Sequence, residues 1–297
     1  MLKRDCVKIS VVTVCYNMVD YIETTIKSVL SQEYPNLEYI IIDGGSTDGT
    51  LEIIEKYRSQ LAYFISEPDE GMYDAIQKGF QVATGEVCAW INADDILLPW
   101  ALSCLNDIFT AFPKVSWINA KNAYLNENGT LAQIYPKVAC RTQKDISNGW
   151  CREELFGPLQ QENMFWRRSL YQQVGGIDAS FKYAGDFELW MRFAEVAQLV
   201  RVDIPLAAFR KRITSLGAVA RVQYFQEMDR AATGKPKYPN FMWWLCRGSK
   251  ILVQLLRMLR FRSGEIIFYS NEEQRLQIKK LFHNYNNHDV QSLLIYK

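Results

Sequence analysis

The sequence predicts an α/β fold around a mainly parallel sheet, and three observations carry that expectation. From Val7 to about Trp117, short apolar runs rich in β-formers alternate with longer stretches of helical period, which is the signature of consecutive βα units. Two of the apolar runs end in acids. Tyr39-Ile40-Ile41-Ile42 leads into Asp43-Gly44-Gly45-Ser46-Thr47-Asp48-Gly49-Thr50, and Val87-Cys88-Ala89-Trp90-Ile91 leads into Asn92-Ala93-Asp94-Asp95. Finally, an acid-tipped strand followed by a glycine-rich loop and a helix is the arrangement of a ligand site at the carboxyl edge of an open α/β sheet.

Each element follows from its own pattern. Ile9 to Cys15 reads as the first strand, and Ile22, Ile26, Val29 and Leu30 mark an amphipathic helix between Asp20 and Gln32. After the Asp43 loop, Leu51, Ile54, Tyr57 and Leu61 predict a helix that Ser46 or Thr47 would cap. A short strand at Tyr63-Phe64-Ile65, a helix from Tyr73 to Ala83 and the strand Val87 to Ile91 repeat the unit. Carboxylates at the end of a buried strand must be satisfied, and a divalent metal is the commonest reason to place them there; capping a helix from Ile96 is the alternative for Asp95. A helix from about Trp100 to Phe112, a strand at Val115 to Ile118 and a hairpin turning at Glu127-Asn128-Gly129 follow. Residues 136–162 are polar and broken by Gly149, Gly157 and Pro158, so loops over the site are expected there. Leu170 to Val174 and Phe187 to Ala197 read as helices, and a boundary falls at residues 233–240. Beyond it, Phe241 to Arg262 predicts an amphipathic helix with Trp243 and Trp244 at its start and a narrow basic stripe of Arg247, Lys250 and Arg257.

Bulk properties exclude several functions. The chain has 297 residues, with 34 basic against 33 acidic side chains, so no global field selects for nucleic acid, which is not expected as a partner. Seven cysteines without a C-x-x-C pair argue against a disulfide framework or a zinc cluster, and the only two histidines, His283 and His288, lie in a polar tail. No secretory signal or membrane-spanning run is read, so a cytoplasmic location is expected. A nicotinamide-dependent dehydrogenase is excluded on position, because Cys15-Tyr16-Asn17 follows the first strand where a G-x-G-x-x-G loop would stand.

Taken in order, Ile9 to Asn17, Ser28 to Gln32, the Asp43 loop, Gly71 to Gly79, Ala83 to Glu86, Asn92 to Asp95 and Gly185 to Trp190 resemble the inverting glycosyltransferases of family two. The resemblance covers roughly the first 200 residues. It implies a GT-A (Rossmann-like) domain, taken as 1–212, that uses nucleotide-diphosphate sugars, UDP- or dTDP-linked, followed by a C-terminal helical extension, 213–297. It also implies roles for residues of this chain. Asp43 would accept the ring N–H of the base, Tyr16 would stack on it, and the backbone near Val14 would touch it; a loop-capping Asp43 and a packed Tyr16 are the alternatives. Asp94 matches the metal position of the family's D-x-D motif, which would hold Mn²⁺ or Mg²⁺ on the diphosphate, while Asn92 stands where the first aspartate often lies. Asp186 matches the general base, with Glu188 its rival and Gly185 in the place of a common glutamate. Asp74 would hold sugar hydroxyls and Lys78 phosphate, although their spacing also suits an exposed helical ion pair. Arg212 lies near the place of a histidine that precedes a flexible loop. Such enzymes commonly act on glycan or lipid-linked acceptors at the inner face of a membrane, which 241–262 would contact peripherally. The rival reading is an inactive nucleotide-sugar-binding subunit, in which Asn92 and Gly185 record lost catalysis.

Overall fold

The computed structural model describes residues 6–135, 141–153, 155, 157–213, 215, 219–237, 265–270, 273 and 275–280. The expected helix at 241–262 and both histidines lie outside the described residues.

The sheet is built outward from β1 (Ile9–Cys15), every residue of which is buried. A parallel strand covered on both faces has no solvent side to show, hence the mostly apolar run Ile-Ser-Val-Val-Thr-Val-Cys, whose Ser10 and Thr13 are hydrogen-bonded to Glu38 and Tyr39. On one side it pairs in parallel with β2 (Leu37–Asp43), and β2 pairs with β3 (Tyr63–Ser66) at the edge. On the other side lies β4 (Val87–Asn92), also parallel. The connecting helices are α1 (Ile22–Leu30), α2 (Thr50–Glu55) and α3 (Met72–Val82). Beyond β4 the sheet changes character. Antiparallel β9 (Met164–Arg167) inserts between β4 and β6 (Trp117–Asn119), and β10 (Val200–Val202) follows in parallel to β6.

Alternation along β1 divides the interior into two layers. Ile9 and Val11 join Ile22, Ile26 and Val29 of α1 and Leu102 and Leu105 of α4 (Ala101–Ala111). Val12 and Val14 face the other way, onto Ile76 and Phe80 of α3 and a cluster that includes Trp90, Trp166 and Trp190. Each fully buried aliphatic or aromatic side chain contributes about 1.5–3 kcal/mol through area removed from water. Trp190 belongs to α7 (Gly185–Val196) and anchors that helix on Trp166 of β9 and Trp117 of β6.

A second, smaller sheet runs β5 (Ile96–Leu97), β11 (Ala207–Arg210), β7 (Ala123–Leu125) and β8 (Leu131–Ile134), the last two forming the expected hairpin. In the region of expected loops, α5 (Gln143–Ser147) starts with a reciprocal cap between Thr142 and Asp145, and α6 (Arg168–Gln173) follows β9. The C-terminal segment, expected as a helical extension, contains strands as well as helix. Its described residues include the helix α8 (Arg221–Ala231). β12 (Glu265–Ser270) and β13 (Arg275–Lys280) form a hairpin that extends the main sheet through β10. The run Glu265-Ile266-Ile267-Phe268-Tyr269-Ser270 has no period-2 alternation and is too short to be read as a strand against the preceding helical pattern.

Candidate active site

Strand register assembles the site. Cys15 stands opposite Asp43, Asp43 opposite Ser66, and Val14 opposite Asn92, so the ends of β1, β2, β3 and β4 form one row at the carboxyl edge of the sheet. Here the order reverses around β1, the position where open α/β sheets leave a crevice.

Asp43 is arranged as the cap of its loop. It has no exposed surface; Oδ2 accepts from the backbone N–H groups of Gly45 (3.0 Å) and Ser46 (2.8 Å) and from Ser66 Oγ (2.7 Å), while Oδ1 accepts from Ser46 Oγ and Cys15 Sγ. Burial and the Asp43 charge push the Cys15 thiol well up, so it stays a neutral donor. Ser46 is thereby committed and also accepts the Asn17 N–H, which is why neither it nor Thr47 caps α2; Gly49 precedes that helix and Asp48 Oδ1 accepts the Thr50 N–H at 3.0 Å. Val14 is buried in β1, whereas Tyr16, directly beyond the strand, leaves 59% of its surface open to solvent.

Asn92 is engaged on both sides, accepting from Trp90 Nε1 at 2.7 Å and donating to Gln161 Oε1 at 3.1 Å. Asp94 is buried and meets Arg212, whose Nε and Nη2 lie 2.8 and 2.6 Å from Oδ2. Arg210 grips the same turn from β11. Its N–H donates to Asp95 Oδ1 (2.8 Å) and its Nε to the Asp94 carbonyl (2.8 Å), and both guanidinium groups lie over the Tyr21 ring. Asp95 caps no helix. A two-residue strand follows it, its second oxygen has no hydrogen-bond partner, and burial together with the Asp94 and Glu162 charges pushes its carboxyl well up.

Asp186 occupies the first turn of α7, and the Tyr73 hydroxyl donates to its Oδ1 at 3.1 Å. Burial pushes its carboxyl up to about 6, opposed by backbone N–H groups at the helix start and by Tyr73. Glu188 is used differently. It holds Arg192 through two contacts of 2.5 Å, and Arg192 in turn donates to the carbonyls of Val174 and Gly176. The identity of residue 185 has a steric cause, since a Cβ there would stand 2.9 Å from the Tyr73 ring. Beside Asp186 a narrow cleft opens between Ile146, Leu159, Phe187 and Trp190.

Asp74 and Lys78 form the helical ion pair (3.2 Å), and Lys78 also meets Glu67 at 2.9 Å. One further acid belongs to the site and was missed from sequence. Glu162 is buried ahead of β9, accepts from Asn163 Nδ2 at 2.9 Å, and is pushed up to about 8 by burial and by the charges of Asp186 and Asp94. Its sensitivity to both places it among them. Polar Gln160-Gln161-Glu162-Asn163 directly before an apolar strand was the available signal.

No group of three or more potential ligating side chains exists among the described residues. An ion held by Asp94 would have to bring phosphate oxygens and waters as its other ligands, the usual mode for Mg²⁺-type sites.

Residues 10–130 match the glycosyl transferase family 2 model. An uncharacterized glycosyltransferase of Haemophilus influenzae is 28% identical over 252 residues, covering 82% of this chain and 76% of that protein. The fold matches TarS 1-349 of S. aureus in complex with UDP-GlcNAc, with TM-score 0.60, 18% identity and coverage of 79% and 69% of the two chains. It also matches the mannosyltransferase PcManGT of Pyrobaculum calidifontis in complex with GDP-Man and Mn²⁺, with TM-score 0.55, 19% identity and coverage of 88% and 76%. The protein is thus a glycosyltransferase on the GT-A fold. Its residues 10–130 are the part that matches glycosyltransferase family 2.

Proposed function

We propose that the protein transfers a sugar, with inversion, from a nucleoside-diphosphate donor to a hydroxyl of a glycan or lipid-linked acceptor. The observation that carries this reading is the pairing of two differently arranged carboxylates at the sheet edge: Asp186, half-buried, pushed up to about 6 and held by Tyr73, and Asp94, ion-paired to Arg212. A carboxylate near 6 is ionised at neutral pH and still basic enough to take a proton as an acceptor oxygen attacks. Asp186 receives that proton. The new bond forms at the anomeric carbon while the bond to the diphosphate oxygen breaks, and the electron pair leaves with the nucleoside diphosphate. Displacement from the face opposite the leaving group inverts the anomeric centre.

Tyr16 offers an open ring for stacking on the base. Arg212, beside Asp94, is the cation within reach of the departing diphosphate. A divalent metal held by Asp94 and the diphosphate would stabilise the charge on the leaving group; among the comparisons, the PcManGT complex contains Mn²⁺. Asn92 fits a supporting place, holding Trp90 and Gln161, better than a ligand's. The cleft at Ile146, Leu159, Phe187 and Trp190 gives the acceptor an apolar wall next to the base.

A panel of nucleotide sugars tests the reading, scored by thermal shift and by slow donor hydrolysis with Mn²⁺ and with EDTA. Turnover of at least one donor that disappears in Asp186→Asn supports the enzyme; donor binding without any turnover would favour an inactive binding subunit. Among the described residues no helix is long and apolar enough to cross a membrane. Contact of 241–262 with a membrane surface is proposed from its sequence pattern alone.

A further inference from the structure

Two carboxylates border the place where the base would lie beside Tyr16, and they differ in what they have left to give. Asp43 accepts from five protein donors, of Gly45, Ser46 (N and Oγ), Ser66 and Cys15. A carboxylate offers about four lone-pair sites, so Asp43 has none to offer a nucleobase, and it is fully buried. Asp69 is the opposite case. Its Oδ1 accepts the Gly71 N–H at 2.8 Å, which fixes the group, while no described residue donates to Oδ2 and the side chain is half-buried.

The position of that free oxygen is specific. Built onto Gly44, a Cβ would stand 2.7 Å from Asp69 Oδ2 and 3.2 Å from its Cγ. The Asp69 carboxylate therefore fills the space that a side chain directly after Asp43 would take, at the end of β2. The loop that carries it is seated there by other contacts: Glu67 N–H donates to the Asp43 carbonyl at 3.0 Å, and Pro68 lies against Gly45. Its charge also reaches the end of β1, where it helps push up the Cys15 thiol next to Tyr16.

We propose that Asp69, not Asp43, reads the nucleobase, with Oδ2 accepting the ring N–H of uracil, thymine or guanine. This rests on the nucleotide-sugar reading of the site and deepens it. Uracil and thymine carry that hydrogen on N3, and guanine on N1. Cytosine and adenine present a ring-nitrogen lone pair at the corresponding edge, which a carboxylate repels. Asp69 thus selects among nucleotides by charge and not by shape, and Gly44 is the residue that leaves room for it.

The test compares UDP, GDP, CDP and ADP by calorimetry on the full chain, with Mn²⁺ present, for the unsubstituted protein and for Asp69→Asn and Asp69→Ala. The unsubstituted protein should bind UDP or GDP at least about tenfold more tightly than CDP, because leaving a charged acceptor facing a lone pair is costly. Asp69→Asn can donate as well as accept, so it should weaken UDP or GDP and strengthen CDP, narrowing the ratio to within about threefold. Asp69→Ala should weaken the preferred nucleotide without gaining CDP. Equal losses for all four nucleotides in Asp69→Asn, or an unchanged ratio, would overturn the assignment while leaving the donor reading intact. An unsubstituted protein that binds none of the four would instead overturn the donor reading, and the assignment with it. Unfolding midpoints of the variants separate a lost fold from a lost contact.

Discussion

Tyr73→Phe isolates the behaviour of the proposed base without removing it. The Tyr73 hydroxyl lies 3.1 Å from both Asp186 Oδ1 and the Tyr183 carbonyl, and the ring is buried against Trp90, so the substitution deletes one oxygen and leaves the packing in place. Burial pushes the Asp186 carboxyl from 3.8 up to about 6, and the Tyr73 hydrogen bond works in the opposite direction. With a base at about 6, about nine-tenths of molecules are competent at pH 7, and kcat/KM should fall about tenfold per pH unit below 6. A hydrogen bond to a charged group contributes about 1.5–3 kcal/mol net. Sharing with the Tyr183 carbonyl argues for the lower end, which at about 1.4 kcal/mol per unit is about one pKa unit. The acidic limb should therefore move from about 6 to about 7 in Tyr73→Phe, with the plateau above it largely retained. The assay is kcat/KM for donor turnover between about pH 5 and 9, with circular dichroism as the control for folding. A limb that stays in place, or moves to lower pH, refutes the claim that Tyr73 holds the ionised form of Asp186.

The other predictions concern neighbours of the same geometry. Asp186→Asn should lower turnover by about 10²- to 10⁴-fold with donor affinity retained, whereas Glu188→Gln should act mainly on stability, since Glu188 serves Arg192; exchanged phenotypes in kinetics and urea unfolding would reverse the assignment. Because the folded pKa of Asp186 is raised, the native state holds the extra proton between about pH 4 and 6 and stability falls as pH rises through that window. Asp186→Asn should flatten this slope in urea titrations. Arg212→Ala removes the partner of buried Asp94, so calorimetry should show tighter binding of Mn²⁺ in the absence of nucleotide and at least about tenfold weaker binding of nucleoside diphosphate; an unchanged Mn²⁺ isotherm would show that the ion pair does not compete with metal. Gly185→Ala drives a Cβ into the Tyr73 ring and should cost about 1–3 kcal/mol in urea unfolding, with a fall in turnover larger than that of Glu188→Gln.

What could be read from the sequence follows from where the information is local. β1 to β4 and the helices between them are legible because central parallel strands are continuous apolar runs and their crossover helices carry a period of their own. β9 is not, because Met164-Phe165-Trp166-Arg167 finds its partners in β4 and β6, far away in sequence, and inserts between them in the antiparallel sense. The same holds at the site. Tyr16, Asp43, Asp94 and Asp186 stand at strand ends or helix starts, where motif order exposes them. What Asp43 does there depends on Ser66 and Cys15, and what Asp94 does depends on Arg212, 118 residues away. The partner of each acid decides its role, and Ser66, Cys15 and Arg212 are all distant in sequence from the acid they serve.

Gly185 shows how that dependence alters a motif-based conclusion. Read along the chain, a glycine where relatives carry a glutamate looks like the loss of a catalytic acid. In space the missing side chain makes room for the Tyr73 ring, whose hydroxyl reaches Asp186. The exchange replaces a negative neighbour by a neutral donor. A second carboxylate beside the base would raise its pKa further by repulsion, whereas a phenol hydroxyl lowers it. The site already carries such repulsion, since Glu227 helps push Asp186 up and Asp186 in turn helps push buried Glu162 up. With Glu162 pushed up to about 8 and Asp94 paired to Arg212, Asp186 at about 6 is the acid placed to be ionised and still basic near neutral pH. On this argument the departure at 185 is expected to tune the proposed base, and turnover retained by the unsubstituted protein in the donor panel is the result that bears it out.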